Sequence, residues 1–409
     1  DRMRMEELDA LVSELFPEVV RIRRKLHENP EPGFEEWETS RMVQQILKAH
    51  GYSIKTGKEA VGSFTGVLAS LYCGPGPVIA MRFDMDALPV SECEKESHVP
   101  VKEGFCSRRE GWMHACGHDG HTAIGIGTGI LLSRLRGKLS GTIQLLFQPA
   151  EEGCRGAKAM ADSGILDNTD YFLAAHIYSR EILKGEEADF LPAVEGSLAT
   201  TKLNAVFHGR TAHGSMPQEG DNVNLSLASA LLNLQAIPRN SRGATFINVG
   251  TINGGTGRNV IADQGKLELE VRGETSELNQ YMEEYAFRIL KACAMMHNTR
   301  VEIETAGSAP SIHSDLQLAE RIRKLFGTPE SPVIPSRKTG ISFPASEDVA
   351  HLMKRVQEHG GQAVFMLLTT ETRAALHQPD FDFNEEILKK GMLVFSETTT
   401  ALLSKTRPD

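Results

Sequence analysis

Residues 141–153 read GTIQLLFQPAEEG, an apolar run that closes on Glu151 and Glu152. The apolar residues are consecutive rather than alternating, which suits a strand buried on both faces. The same pattern recurs at 77–89, PVIAMRFDMDALP, closing on Asp84 and Asp86, and at 171–178, YFLAAHIY, which carries His176. Helical stretches lie between them, HTAIGIGTGILLSRLR at 121–136 and GAKAMADSGIL at 156–166. Alternating strand and helix predicts an α/β layer: a central, mostly parallel sheet with helices on both faces. In such sheets ligands bind beyond the carboxyl ends of the strands, and the chemically distinctive residues fall there.

Upstream, residues 5–28 carry apolar side chains at helical spacing with charges between them, which predicts an amphipathic helix bent at Pro17. A turn at NPEPGFEE (29–36) leads to a second helix over about 35–51, ended by Gly51. From about residue 198 the order becomes β-α-β-β-α-β: ATTKLNAVFHG, NVNLSLASALLNLQAI, TFINVGTINGG, KLELEVRGE, SELNQYMEEYAFRILKACAMM and TRVEIETAG. That is a ferredoxin-like α+β unit. The predicted organisation is one α/β domain, residues 1–196 and 308–409, interrupted by an insertion at 197–307. No internal repeat or low-complexity segment is visible.

The 409 residues carry a net charge of −10, with 40% hydrophobic and 24% charged residues. This balance disfavours nucleic acid or an anionic membrane as the main partner. The six cysteines form no disulfide framework, so the chain reads as reduced and cytoplasmic. Its start lacks the pattern of a signal peptide, and the residues before Met5 are candidates for a cloning remnant. No run of about 18 apolar residues is present to span a membrane.

The densest chemistry is HACGHDGH, residues 114–121. Cys116 and His118, two residues apart in a Gly-containing loop, can aim thiolate and imidazole at one metal. In isolation such a pair is more often a buried thiol beside a structural histidine. Glu151 and Glu152 repel one another near a dry core, and a cation would hold them; alone they also read as a solvated acidic turn. His176 and His377 would each pass for a satisfied core histidine. Taken together, all five donors fall at one sheet edge and suit two divalent ions, with one carboxylate left free as general base. GGTGRN, around residues 254–259, follows no strand-to-helix pattern and reads as a flexible loop.

MRFDMDALP, MHACGHDGHTA, FQPAEEGCRGAKAM, AAHIY, GRTAHGSMPQEGDN, GRNVIAD and SEDVAHL stand in an order and spacing that resembles the M20 metallopeptidase family. More narrowly they are similar to its amidohydrolase branch, and within it to the aminobenzoyl-glutamate hydrolases. One departure is the direct passage through GKEAVGSFTGVLASL, where those hydrolases carry an extra segment. The resemblance implies a zinc-exopeptidase-like fold with an inserted dimerisation lid. It implies Cys116, His118, Glu152, His176 and His377 as ligands of two divalent metals, manganese or zinc first, cobalt or nickel next. It makes Glu151 the general base and Asp86 a residue that orients a neighbour. It implies that His213 comes from a partner subunit to steady an oxyanion. It also implies that Asn259 and Arg272, with Arg258 as a lesser candidate, hold a substrate carboxylate; read alone, Arg272 is equally an exposed strand ion pair. The implied reaction is hydrolysis of an N-acyl amino acid with an aromatic acyl group, p-aminobenzoyl-glutamate first. The alternatives are an N-acetyl or N-acyl amino acid deacylase or hippurate-type hydrolase and, remotely, a non-catalytic binding protein. The implied assembly is a homodimer, with pairing to a different chain as the other possibility.

Overall fold

The computed structural model describes residues 5–405, so the expectation for the residues before Met5 lies outside the described part. The main sheet has seven strands: β1 (Ser53–Gly57), β2 (Ser63–Gly74), β3 (Val78–Asp84), β4 (Gly141–Gln148), β5 (Tyr171–Ser179), β6 (Phe190–Leu191) and β11 (Gln362–Thr370), in the order β1-β2-β4-β3-β5-β11-β6. The intervening β7 to β10 belong to a second sheet. Strands β4, β3, β5 and β11 are mutually parallel, whereas β1, β2 and β6 join antiparallel. The sheet is therefore mixed, and the expectation of a mostly parallel one is corrected. Short connections such as that between β1 and β2 can join only antiparallel neighbours, because a parallel return needs a crossover.

Side-chain alternation sends each strand's residues to two cores. On one face Ile79, Met81, Phe83, Leu145 and Phe147 pack under α1 (Met5–Glu28), α2 (Trp37–Ala49), α3 (His118–Arg134) and α8 (Glu386–Leu403). On the other, Ala80, Leu146, Phe172 and Phe365 meet Met160 and α7 (Val349–Glu358). Helix α1 buries Leu8, Val12, Leu15, Val19, Ile22 and Leu26, a spacing of three and four that keeps one stripe on the core. It runs through Pro17 as one helix. Pro17 and Ser13 are both exposed, so water can satisfy the Ser13 carbonyl that the ring leaves unbonded. Helix α3 is buried almost all round and lies close on the sheet. A Cβ on Gly125 would stand 2.6 Å from the Phe83 ring, so only glycine permits this approach.

Residues 199–309 form a second sheet from β7 (Ala199–His208), β8 (Thr245–Gly254), β9 (Gln264–Gly273) and β10 (Arg300–Ala309), ordered β10-β7-β9-β8 and antiparallel throughout. Helices α4 (Val223–Gln235) and α5 (Ser276–Met296) pack on it around their own core of Leu203, Phe207, Leu227, Leu267, Met282 and Leu290. Helix α6 (Leu316–Phe326) follows, and the chain then returns to β11.

A buried charge network joins α1, the start of α3 and the C-terminal segment. Arg23 donates to Asp119 at 2.9 Å and to Asp382 at 3.1 Å, and its guanidinium lies 4.2 Å over the Phe383 ring. His27 bridges Asp119 at 2.8 Å and Glu92 at 2.6 Å. Burial opposes charge on His27, but the bonds to Asp119 and Glu92 outweigh it and raise its pKa from 6.5 to about 9. Burial likewise opposes charge on Glu92, and hydrogen bonds from His27 and His98 lower its pKa to about 2. A raised folded-state pKa contributes stability that is complete below the unfolded value and is lost as pH rises through the folded one. The pair's contribution is therefore greatest between the unfolded values of 4.5 and 6.5, falling away toward 9 on one side and 2 on the other. Melting temperature followed from pH 6 to pH 10 is expected to fall for the wild type, and His27→Gln is expected to flatten that part of the profile. Superimposable profiles would show that His27 carries no such charge.

Candidate metal centre

The site is assembled at the carboxyl edge of the parallel strands. Asp84 ends β3, Asp86 follows it, Glu151 and Glu152 follow β4, His176 lies near the end of β5, and His377 lies in the loop after β11. Cys116 and His118 flank Gly117, whose left-handed φ of 79° turns the chain into α3. His377 itself has φ 72° and Ala150, just ahead of Glu151, has φ 50°. Non-glycine residues at positive φ are costly and persist where surrounding structure compels them.

The expected ligands converge. Cys116 Sγ lies 3.5 Å from His176 Nε2. His118 Nε2 is 3.4 Å from Asp84 Oδ2, 3.6 Å from Glu151 Oε2 and 3.8 Å from Glu152 Oε1. His377 Nε2 is 3.4 Å from Glu152 Oε1. Two overlapping sets of donors emerge, Cys116 with His118 and His176, and Cys116 with Glu152 and His377.

Hydrogen bonds fix which ring atoms face the centre. His118 Nδ1 points at the Asp86 carbonyl (2.8 Å) and Asp86 Oδ1 (3.2 Å), so a proton sits on Nδ1 and Nε2 turns inward. His176 Nδ1 donates to the Ile177 carbonyl at 2.6 Å, leaving Nε2 free in the same way. Asp86 also accepts from the backbone N–H of Glu151 (3.0 Å) and of Glu152 (2.9 Å). One carboxylate thus holds His118 and the two-glutamate turn together.

The fit to a cation rests on atoms without donors. His118 Nε2 and Glu152 Oε1 are buried atoms with no hydrogen-bond partner among the described residues, and they face one another at 3.8 Å, whereas Asp84 Oδ2, 3.4 Å from His118 Nε2, has the Arg82 guanidinium 3.3 Å away on its other side. With His118 neutral these atoms are acceptors facing acceptors, which is unfavourable in a dry site unless a proton or a metal ion lies between them. Burial and the nearby carboxylates of Glu152, Glu151 and Asp84 push the Cys116 thiol pKa well up. Burial, Glu347 and Glu152 push that of Glu151 up as well. Burial opposes charge on His118, but Asp84 and Asp86 overcome it and hold its pKa high, so that a proton takes the place on Nε2 that a metal would fill. For His176, burial and His121 depress the pKa, which keeps the ring neutral as a ligand must be. A bound divalent ion would reverse the sign of the field at the thiol and at Glu151.

Several participants are not legible as such in the sequence. Arg82 is fully buried and donates to Gln148 (2.7 Å) and Glu347 (2.8 Å), with Asp84 and Asp348 each at 3.3 Å. Glu347 and Asp348 belong to SEDVAHL, a motif whose pattern alone assigns them no role. A lone arginine inside an apolar strand was the available signal, because a buried guanidinium requires buried anions. His121 accepts from the Ile177 N–H through Nε2 (2.8 Å), so its Nδ1 proton goes to Asp84 at 2.6 Å. His114 is buried with both ring nitrogens unpartnered among the described residues, and burial lowers its pKa to about 4.

The residues expected from the insertion do not join the cluster in this chain. His213 is exposed and bonded to Ser215 Oγ at 2.7 Å. It pairs with Val260 across a β-bridge, and Gly214 N–H donates to the Asn259 carbonyl at 2.8 Å, so His213, Asn259 and Arg258 share one exposed edge. Arg272 stands apart from them. It pairs with Glu270 at 3.1 Å and donates to Ser346 Oγ at 3.2 Å, beside Glu347.

Asp86→Ala removes the acceptor that orients His118 and the Glu151–Glu152 turn. Loss of such an outer support weakens metal affinity by about 10–100-fold. Equilibrium dialysis against zinc or manganese is expected to show this drop with the fold intact by circular dichroism, and unchanged affinity would remove Asp86 from the site.

Comparison with known proteins agrees with this geometry. The model of "Peptidase family M20/M25/M40" matches residues 80–401. One of the subunits of the p-aminobenzoyl-glutamate hydrolase of Escherichia coli (strain K12) is 38% identical, covering 96% of this chain and 98% of its own. The indole-3-acetyl-aspartic acid hydrolase of Enterobacter agglomerans is also 38% identical, over 94% of this chain and 95% of its own. The crystal structure of Bacillus subtilis YXEP protein, described as a dinuclear metal-binding peptidase of the M20 family, superposes with a TM-score of 0.68 at 26% identity, covering 96% of this chain and 99% of that one. By the match of its residues 80–401 and by these identities over nearly its whole length, the chain belongs to peptidase family M20/M25/M40.

Proposed function

We propose that this hydrolase of amide bonds uses two divalent metal ions to cleave an N-acyl amino acid with an aromatic acyl group, and that p-aminobenzoyl-glutamate is its substrate. The observation that carries the reading is the convergence of His118 Nε2 and Glu152 Oε1, both without a hydrogen-bond partner among the described residues, beside Cys116, His176 and His377. Cys116, His118, Glu152, His176 and His377 would hold the ions, manganese or zinc before cobalt or nickel. When bound, the ions polarise the amide carbonyl and supply an acidified water.

The chain's own residues do the rest. Glu151 accepts the proton of the attacking water and returns it to the leaving amine. Its buried position among Glu347, Glu152 and Asp84 fits a proton carrier. The substrate carboxylate requires cations, and Arg258, Asn259 and Arg272 stand on the inserted segment to meet it. His213 shares the edge of Arg258 and Asn259, so delivering that edge would bring oxyanion support and carboxylate recognition together.

Delivery from a second copy fits the surface. Helix α4 exposes Leu225 and Leu232 at 51% and 72%, and edge strand β8 exposes Phe246 and Ile252 at 49% and 45%. Apolar side chains beside an open strand edge suit pairing with the same surface of another chain. The chain is read as a homodimer joined through the insertion. Pairing with a different chain is the other reading, carried by the name of the Escherichia coli relative, which makes it one of the subunits of its hydrolase.

The deciding assay is release of p-aminobenzoate from p-aminobenzoyl-glutamate by metal-stripped protein before and after manganese or zinc is restored. Release only with metal is expected. Activity confined to N-acetyl amino acids would move the chain to a sister specificity, and silence on all acyl amino acids would overturn the reading. Glu151→Gln is expected to retain metal and lose about 10²–10⁴-fold in kcat, the usual worth of a general acid–base. The double variant Leu225→Glu/Leu232→Glu is expected to sediment as a monomer and to fall to the kcat of His213→Ala, since both deprive the centre of the same imidazole. A fully active monomer would remove the cross-subunit role.

A further inference from the structure

A cavity of about 710 Å³ opens beside the metal centre, lined by Tyr178, Glu181, Ile182, Pro344, Leu376 and Phe381 among others. Its position follows from the chain. Tyr178 lies two residues after His176, with ring centroids 6.4 Å apart, and Leu376 immediately precedes His377. Tyr178 is held edge-on against Phe343 at 5.4 Å, and Phe381 is buried, so two aromatic side chains and three aliphatic ones form firm walls. The volume lies in the range of small-molecule sites.

The charge of this cavity is one-sided. Glu181 is its only charged lining residue. The neighbouring Arg180 is turned away, to Glu187 at 3.1 Å and Asp189 at 3.5 Å, and no cation pairs with Glu181 among the described residues. An amino acid carboxylate would be repelled here, and it has cations available on the inserted segment instead. The cavity therefore suits the neutral half of the substrate, the acyl group. Its walls suit a flat ring. A ring without substituents would leave the exposed carboxylate of Glu181 to water, whereas a ring bearing an N–H would give it a donor within the cavity.

We propose that Glu181 is a specificity-determining residue that selects aromatic acyl groups carrying an N–H donor, by accepting a hydrogen bond from that donor. This rests on the reading of the chain as an amidohydrolase of aromatic acyl amino acids. It adds which aromatic acyl groups are preferred and by what contact. A charge-assisted hydrogen bond at a half-open site is worth about tenfold in discrimination, or ~1.4 kcal/mol.

The test uses two substrates that differ only in the donor, 4-aminobenzoyl-glutamate and benzoyl-glutamate, with the full chain and metal restored. The readout is the ratio of their kcat/KM values. The wild type is expected to favour the amino compound about tenfold, and Glu181→Ala to bring the ratio to about one. Glu181→Lys is expected to move preference toward 4-carboxybenzoyl-glutamate, since a cation would then face the ring substituent. Glu181 lies exposed on a short 3₁₀ turn, Arg180–Leu183, so the variants are expected to fold, as melting temperature will show. Cleavage of both substrates with a wild-type ratio near one, or a ratio unmoved by either variant, would overturn the role of Glu181 and leave the amidohydrolase reading standing. Cleavage of neither aromatic substrate would overturn both.

Discussion

Everything at the centre of this molecule depends on concentrated negative charge at one sheet edge. Asp84, Asp86, Glu151, Glu152, Glu347 and Asp348 crowd together with Arg82 as their buried guanidinium. Carboxylates removed from water must be neutralised, by protons or by cations. Arg82 neutralises the inner part, toward Glu347 and Asp348. In the outer part, where Cys116, His118, Glu152 and His377 meet, no arginine or lysine pairs with Glu151 or Glu152 among the described residues, and of the basic side chains only histidines face them. This division separates a structural salt-bridge core from the rim proposed to hold metal at the same sheet edge.

The same constraint explains the supporting residues. A ligand must present one atom and hide the other, and here His118 and His176 are each pinned by the second ring nitrogen. His118 is held by Asp86 and His176 by its neighbouring carbonyl, while His121, beside them, is held by Asp84 and the Ile177 N–H. The network of Arg23, His27 and Asp119 then anchors the start of α3 from behind. A layer of ordinary salt bridges and hydrogen bonds thus positions the rim before any ion arrives, which is how a site limits reorganisation on binding.

Legibility in the sequence followed chain locality. Glu151 and Glu152 stood out because they break an apolar run, and Cys116 and His118 because they share a loop. The β-α-β-β-α-β order of the insertion was visible because its strands alternate cleanly, and the structure has the corresponding elements in that order. The antiparallel edges of the main sheet were not visible, since periodicity reports burial and not strand direction. Pro17, expected to bend the first helix, does not break it, because that residue faces water. The contributions of Arg82, Glu347 and His121 were hidden for another reason: their partners are distant in the chain, with Arg82 and Glu347 separated by 265 residues.

By itself, the sequence determined the residue types capable of holding metal, the α/β character of the fold, and the family. Those are properties of local pattern and spacing. Only the tertiary structure decided that His118 Nε2 and Glu152 Oε1 face one another without a hydrogen-bond partner among the described residues, that Arg82 neutralises Asp84, Glu347 and Asp348 on one side of the cluster, and that His213 stands on an exposed edge with Asn259 and Arg258. Such relations arise from the convergence of distant strands and from which nitrogen of a ring is already bonded. Spacing along the chain carries neither.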